Sequence, residues 1–343
     1  MRALVINAHG GLERVEYRND VPEPQIRQPN EVRIRVRAAA LNHLDLFVIG
    51  GLPNVSITTP WVLGADAMGE IESIGSAVRD VRVGDRVIVN PGISDRSCEY
   101  CLAGEQSLCV RFGILGEHHQ GTLAEYIVVP ASNVRRVAPE ITDISAAAFT
   151  LATLTAWRMV VTRARVRAGD QVLIQGIGGG VALAALQICK ALGATVWATS
   201  RSEEKLARAR AIGADETIDS RADVAREVRA RTGKRGVDVV IDSVGEATWA
   251  QSLGALARAG RLVTCGGTSG PMVQTDVRRL FWNQWSIMGS TMGNDAEFDA
   301  ISAELSSGRL FPEIDRVFEL SEGVQAFERL DHADQFGKIV VTI

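Results

Sequence analysis

The stretch from Gln171 to Lys205 constrains this chain more than any other. Gln171-Val172-Leu173-Ile174-Gln175 is a short apolar run, too brief for a helix and closed by glycine. Gly176-Ile177-Gly178-Gly179-Gly180 follows, and Val181 to Leu192, packed with Ala and Leu, predicts a helix ended by Gly193. Thr195-Val196-Trp197-Ala198-Thr199 reads as a second buried strand. Strand, glycine turn, helix and strand in this order form a βαβ unit, the setting that gives a glycine motif meaning.

The glycines have separate tasks. One makes the tight turn, another lets the backbone approach a pyrophosphate, and a small residue packs helix on strand. Gly176, Gly179 and Ala182 fit G-x-x-G-x-x-A, whereas G-x-G-x-x-G fails because Val181 holds its last place. The helix start at Gly180 and Val181 then offers N–H groups and the positive end of a dipole to phosphates. The expectation is dinucleotide binding; the alternative is a structural turn that holds nothing.

The tip of the second strand selects the cofactor. A site for NAD usually places Asp or Glu there, and an Arg accommodates the extra phosphate of NADP. Here the chain reads Ser200-Arg201-Ser202-Glu203-Glu204-Lys205, without an acid at the tip. Arg201 and Lys205 suit a dianion and Ser200 donates a hydrogen bond, so NADPH is expected. A solvated, charged helix start is the alternative, because Glu203 and Glu204 suit a first turn.

At 343 residues with 46% apolar content, the chain is long enough for two cores. A net charge of −4 without a basic block argues against nucleic acid as a partner. No apolar run approaches membrane-spanning length, and MRALVINAHGG reads as a first strand rather than a signal peptide. Five cysteines, three of them clustered, suggest metal ligands in a reducing cytosol. The expected partner is a small-molecule substrate, the expected location cytoplasmic, and the expected assembly a homodimer or homotetramer.

Up to about residue 140 many short β-rich segments punctuated by glycine predict a mainly β, barrel-like domain. Ile144 to Val161 reads as one long helical stretch. From Gln171 strands and helices alternate, predicting a doubly wound parallel sheet. Its later elements are helices over 203–212, 222–231 and 247–258 and strands at Glu216–Ile218, Val237–Asp242, Arg261–Cys265 and Ser286–Thr291. A helix over 295–307 and the strand GKIVVTI return to the first domain.

With these residues in place the chain resembles the medium-chain dehydrogenase/reductase superfamily over essentially its full length, most closely its quinone-oxidoreductase and zinc-type alcohol-dehydrogenase-like branch. The matching stretches are AAALNHLDLFVIGG, LGADAMGEIESIG, VGDRV, CEYCLAGEQSLC, GTLAEYIVVP, LTAW, GGGVALAALQICKALGA, IGADETID and FGKIVV. The resemblance implies an α/β protein: a GroES-like, mainly β catalytic domain over 1–150 and 294–343, a Rossmann domain over 151–293, and a cofactor cleft between them. It adds Thr155, Gly266, Ser290 and Met292 as neighbours of the nicotinamide.

The lobe over 92–112 resembles the family's structural zinc site. Cys98, Cys101 and Cys109 match its last three ligands, and the first falls on Asp95, giving D-x2-C-x2-C-x7-C. Zinc accepts a carboxylate as well as thiolates, and four closed protein ligands make a structural site. An empty lobe of reduced thiols is the alternative. Cys189 and Cys265 read as core residues.

Zinc-dependent members use a Cys, a His and a Cys at three places that match Asn42, Ala65 and Leu151 here, which is no plausible zinc set. Catalysis then rests on placing an electron-poor acceptor against the nicotinamide and on donors to a developing oxyanion. Asn42, His43 and Asp45, on the matching loop, are the candidate catalytic residues: Asn42 as a donor to substrate, His43 as a proton donor, Asp45 as the residue orienting the loop. The expected activity is NADPH-dependent reduction of a quinone or an α,β-unsaturated carbonyl. An NADP-dependent alcohol dehydrogenase or ketone reductase, and a non-catalytic NADPH-binding protein, are the competing readings. His118 and His119 are adjacent and point apart; Trp282 and Trp285 read as a substrate wall or as core.

Overall fold

The computed structural model describes residues 1–53 and 55–343. They divide into two compact units, Met1–Leu151 with Gly293–Ile343, and Ala152–Met292.

The first unit is built on the strand Glu31–Ala40. Its sequence, EVRIRVRAAA, alternates with period two, so Val32, Ile34 and Val36 turn into the core while Arg35 and Arg37 face outward. Asp66–Ile74 and Tyr126–Pro130 pair with it antiparallel, and Arg86–Val89 and Val134–Arg136 extend the sheet. The final strand, Lys338–Thr342, also pairs with it, Val340 opposite Ala40. The helices Asp295–Ser306 and Gly323–Asp331 belong to this unit. Leu4, Ile6, Leu63, Phe327 and Val341 lie in one of its buried clusters.

Six parallel strands form the second unit: β1 Gln171–Ile174, β2 Thr195–Ser200, β3 Glu216–Asp219, β4 Val237–Asp242, β5 Leu256–Thr264 and β6 Ser286–Gly289. Their order is β3-β2-β1-β4-β5-β6. The connections carry α1 Gly180–Ala191, α2 Glu203–Ala211, α3 Val224–Arg231, α4 Glu246–Ala255 and α5 Val277–Asn283. This is the doubly wound arrangement, and strand order reverses beside β1, where such sheets open a crevice for ligands. α1 buries Ala182, Leu183, Ala185, Leu186, Ile188 and Cys189; the small residues on that face suit close packing on the sheet.

Three expectations shift. The helical stretch over 144–161 is broken into Asp143–Ala147, Thr150–Trp157 and a π-helical segment Arg158–Arg163. The helix expected over 247–258 ends at Ala255, because Leu256 already pairs with Val237 and Ala259 adopts a left-handed φ of 57° inside β5. Ala-rich sequence gives good helix propensity in both places; at Leu256 strand pairing overrides it. The two tryptophans part company. Trp285 is buried and donates its indole N–H to the Ala257 carbonyl at 2.9 Å, whereas Trp282 is exposed on α5.

Candidate functional site

In the first unit, strand register assembles a buried polar cluster. Ala40 pairs with Asp66 on one side and with Val340 on the other, so two residues further along Asn42 lies across from Lys338. The backbone continues that pairing, Leu41 N–H donating to the Ile339 carbonyl at 2.9 Å. The Lys338 ammonium donates to Asn42 Oδ1 at 2.5 Å and to Asp66 Oδ2 at 2.9 Å. Asn42 Nδ2 donates to the same carboxylate at 2.9 Å and to the Ala40 carbonyl at 3.4 Å. The other oxygen of Asp66 accepts from the Thr150 hydroxyl at 2.5 Å and from the Leu151 N–H at 2.6 Å. Asn42, Asp45, Asp66, Thr150 and Lys338 are all buried.

Asn42 caps the helix His43–Gly50. Its N–H donates to Asp45 Oδ2 at 2.8 Å, which ties the start of the helix to its first turn. Burial pushes the Asp45 carboxyl up to about 7, against the pull of the Asn42 and Gly64 amides and of the Lys338 charge. His43 is exposed, its ring edge-on to Phe47 at 4.9 Å. The candidate trio is thus one loop with distinct environments: both amide hydrogens of Asn42 are committed inside the protein, Asp45 is sealed, and His43 faces out.

The second unit gathers the other candidates at the C-terminal ends of its strands. Gly176 turns the chain after β1 with φ +69°, and Gly178 continues with φ +135°, values that favour glycine. Gly179 caps α1, and a Cβ there would meet nothing within 4 Å, so open space lies where a phosphate would rest against the first-turn amides of Gly180 and Val181. Ser200 ends β2, its hydroxyl accepting the Ser202 N–H at 3.1 Å. Arg201 is exposed beside it and forms no ion pair among the described residues. Lys205 lies in the first turn of α2, its N–H capped by the Ser202 hydroxyl at 3.3 Å. Asp219, paired in register with Ser200, has its carboxylate engaged by Arg221.

Thr155, Ser290 and Met292 come together as well. Thr155 Oγ1 lies 3.7 Å from Met292 Sδ, and Met292 holds a left-handed φ of 47°. The Ser290 N–H donates to the Thr264 carbonyl at 2.8 Å, while its buried hydroxyl has no partner. Thr264 also bonds the Gly266 carbonyl through its hydroxyl at 3.0 Å. An orphaned buried hydroxyl and a strained neighbour suit a polar ring substituent such as a carboxamide.

Asp95, Cys98, Cys101 and Cys109 offer one ligand atom each, all within 4.8 Å of one another. Asp95 Oδ1 accepts the Ser97 and Cys98 amides at 2.9 and 3.0 Å, which holds its carboxyl well below the usual range, and Oδ2 lies 3.7 Å from the Arg111 guanidinium. Cys109 Sγ accepts N–H groups from Asp95 and Arg111, each at 3.3 Å. This donor set fits tetrahedral zinc, one carboxylate with three thiolates. His118 Nδ1 accepts the Ile114 N–H, and neither His118 nor His119 joins a metal-competent group among the described residues.

Two family models match, one described as alcohol dehydrogenase GroES-like domain over residues 28–139 and one as zinc-binding dehydrogenase over 180–307. An NAD-dependent alcohol dehydrogenase of Sulfolobus acidocaldarius is 31% identical over 100% of both chains. A quinone oxidoreductase of Pseudomonas aeruginosa is 34% identical over 94% of each. The chain belongs to the medium-chain dehydrogenase/reductase superfamily. The crystal structure of an NAD-dependent alcohol dehydrogenase, 42% identical, superposes with a TM-score of 0.95 over 100% of both chains. The protein is therefore an oxidoreductase with the GroES-like and Rossmann folds of that superfamily. No helix among the described residues is long and apolar enough to cross a membrane.

Sequence reasoning passed over Asp66, Thr150 and Lys338. The signal was present: Asp66 and Lys338 are charged residues set in otherwise apolar runs, LGADAMG and GKIVVTI. Charges in such places are seldom buried unless paired.

Proposed function

We propose that the protein is an NADPH-dependent reductase of quinones or α,β-unsaturated carbonyls that works without a catalytic metal. One observation carries the reading. By the family resemblance, Asn42, Ala65 and Leu151 match the metal-ligand positions of zinc-dependent members, and the Asn42 side chain is instead bound by the Lys338 ammonium at 2.5 Å. An internal cation satisfies Asn42 and Asp66, and no thiolate or imidazole stands among these three positions to bind zinc.

When bound, the nicotinamide supplies a hydride. Thr155, Ser290 and Met292 orient it, the Ser290 hydroxyl taking the carboxamide. Gly179, Gly180 and Val181 hold the pyrophosphate with amides at the head of α1. Ser200, Arg201 and Lys205 take the 2′-phosphate, supported by the lack of an acid at the β2 tip and by the engagement of Asp219 with Arg221. Asn42 and Asp45 act as positioning residues that fix the loop, and His43 donates the proton that balances charge on the substrate oxygen. Asp95, Cys98, Cys101 and Cys109 hold a structural zinc. Five free cysteines suit a reducing cytoplasm.

The test is NADPH oxidation across quinones, enones and ketones, with and without brief chelation. Reduction of quinones or enones at an unchanged initial rate is expected. The alcohol-dehydrogenase relatives favour a second reading, and it prevails if chelation abolishes turnover without unfolding and added zinc restores it.

A further inference from the structure

A line of buried polar side chains crosses the second unit beneath the glycine turn. The Gly176 N–H donates to Thr199 Oγ1 at 3.1 Å, and that hydroxyl donates to Gln175 Oε1 at 2.7 Å. Gln175 Nε2 donates to Ser252 Oγ at 3.1 Å, and the Ser252 hydroxyl donates to Asp242 Oδ2 at 2.7 Å. Gln175, Thr199, Ser252 and Asp242 are each at most 1% exposed.

The direction of the line follows from its end. An Asp242 carboxylate only accepts, so Ser252 must donate to it. Its lone pair then faces the Gln175 amide nitrogen, which fixes that amide's orientation and points its oxygen at Thr199. Thr199 donates there and accepts from Gly176. Bonds that all run one way polarise one another, and here they terminate on a charge.

Three turns at the C-terminal edge of the sheet are tied together in this way. Asp242 Oδ1 accepts the N–H groups of Val244 and Gly245 at 2.9 and 3.1 Å, which shapes the turn from β4 into α4. Thr199, near the tip of β2, accepts the Ile177 N–H on its carbonyl at 2.7 Å, besides that of Gly176 on its hydroxyl. Val244 packs so closely that a Cβ at Gly176 would meet its Cγ2 at 2.9 Å. Gly176 and Ile177 therefore spend their amide hydrogens inward, and the phosphate falls to the amides at the head of α1.

We infer that Thr199, Gln175, Ser252 and Asp242 are positioning residues for dinucleotide binding: a one-way hydrogen-bonded relay that locks the phosphate turn of β1, the ribose end of β2 and the β4 turn in one geometry before the cofactor arrives. The inference rests on the dinucleotide reading above. Preorganisation of this kind appears in affinity, because an unlocked turn must be ordered when ligand binds.

The test compares Thr199→Val, which removes only the hydroxyl, with Thr199→Ser, which keeps it, and with Ser252→Ala at the far end. Kd for NADPH and NADH is read from cofactor fluorescence, and KM and kcat from turnover at saturating acceptor. Thr199→Val should raise Kd and KM for the cofactor about tenfold, as expected when a buried donor loses its acceptor, with kcat little changed. Thr199→Ser should bind nearly as the unmodified protein does, and Ser252→Ala should weaken binding in the same sense although it lies two links from Gly176. Folded Thr199→Val and Ser252→Ala proteins with unaltered Kd would overturn the relay alone. So would equal losses in the Val and Ser variants, since packing and not the hydroxyl would then matter. If the unmodified protein binds neither dinucleotide, the functional reading itself falls and takes the relay with it.

Discussion

Lys338→Met tests the buried cluster most directly. The lysine is 4% exposed and its ammonium contacts two groups, Asn42 Oδ1 and Asp66 Oδ2. Methionine matches the length of the stem and removes the charge. Asp66, 0% exposed, then keeps three donors, the Asn42 amide, the Thr150 hydroxyl and the Leu151 N–H, but loses its only counter-ion within the cluster. Breaking a buried ion pair from one side typically costs about 3–5 kcal/mol, because an uncompensated charge remains. The surviving donors place the expected cost near the lower end. In a unit of about 200 residues, that corresponds to a fall in Tm of roughly 6–12 °C.

The cycle is completed with Asp66→Asn and with the double variant, followed by thermal and denaturant unfolding of the first unit. Asp66→Asn alone strands the ammonium and should cost a similar amount. The double variant is neutral and should be more stable than either single one, with a coupling energy of about 2 kcal/mol or more. A cost below about 1 kcal/mol for Lys338→Met would refute the reasoning, since it would mean that the ammonium is solvated rather than clamped. Additive losses in the double variant would do the same.

Stability should also depend on pH through Asp45. Its carboxyl is raised to about 7 in the folded protein, so between the ordinary carboxylate range and that value the folded state holds a proton that the unfolded state has released. This group's contribution is present in full at low pH and lost as pH rises through 7; Tm measured from pH 5 to 8 should fall more steeply for the unmodified protein than for Asp45→Asn, and parallel profiles would contradict it. Arg201→Ala should remove most of a preference for NADPH over NADH of about tenfold or more, read as the ratio of kcat/KM, and equal use of both cofactors by the unmodified protein defeats the assignment. Elemental analysis should find one zinc for each chain. Asp95→Ala should lower zinc retention and Tm while sparing NADPH binding; two zincs per chain would place a metal outside the lobe.

How much of this was legible beforehand follows from which residues announce themselves locally. The glycine turn did, because φ values of +69° and +135° at Gly176 and Gly178 demand glycine and leave a visible motif. The cysteine lobe did in part: Cys98, Cys101 and Cys109 cluster in the sequence, while Asp95 joined them only through the resemblance to the family's zinc lobe. Lys338 did not, since its partners Asn42 and Asp66 are 296 and 272 residues away and meet it only through strand register. Nor did Gln175, Ser252 and Asp242, which look like ordinary polar residues at the edges of apolar segments. Local rules find the groups that touch a ligand through the backbone or through short-range ligation. The side chains that hold those groups still are chosen by tertiary packing, and a polar residue with no place in its local pattern is their one sequence trace. The same division separates the perturbations. Changes at Arg201 or Asp95 should act on one ligand's binding, with the loss of Tm that follows when zinc is lost, whereas changes at Lys338 or Thr199 should act at a distance, on the stability of the first unit and on cofactor affinity in the second.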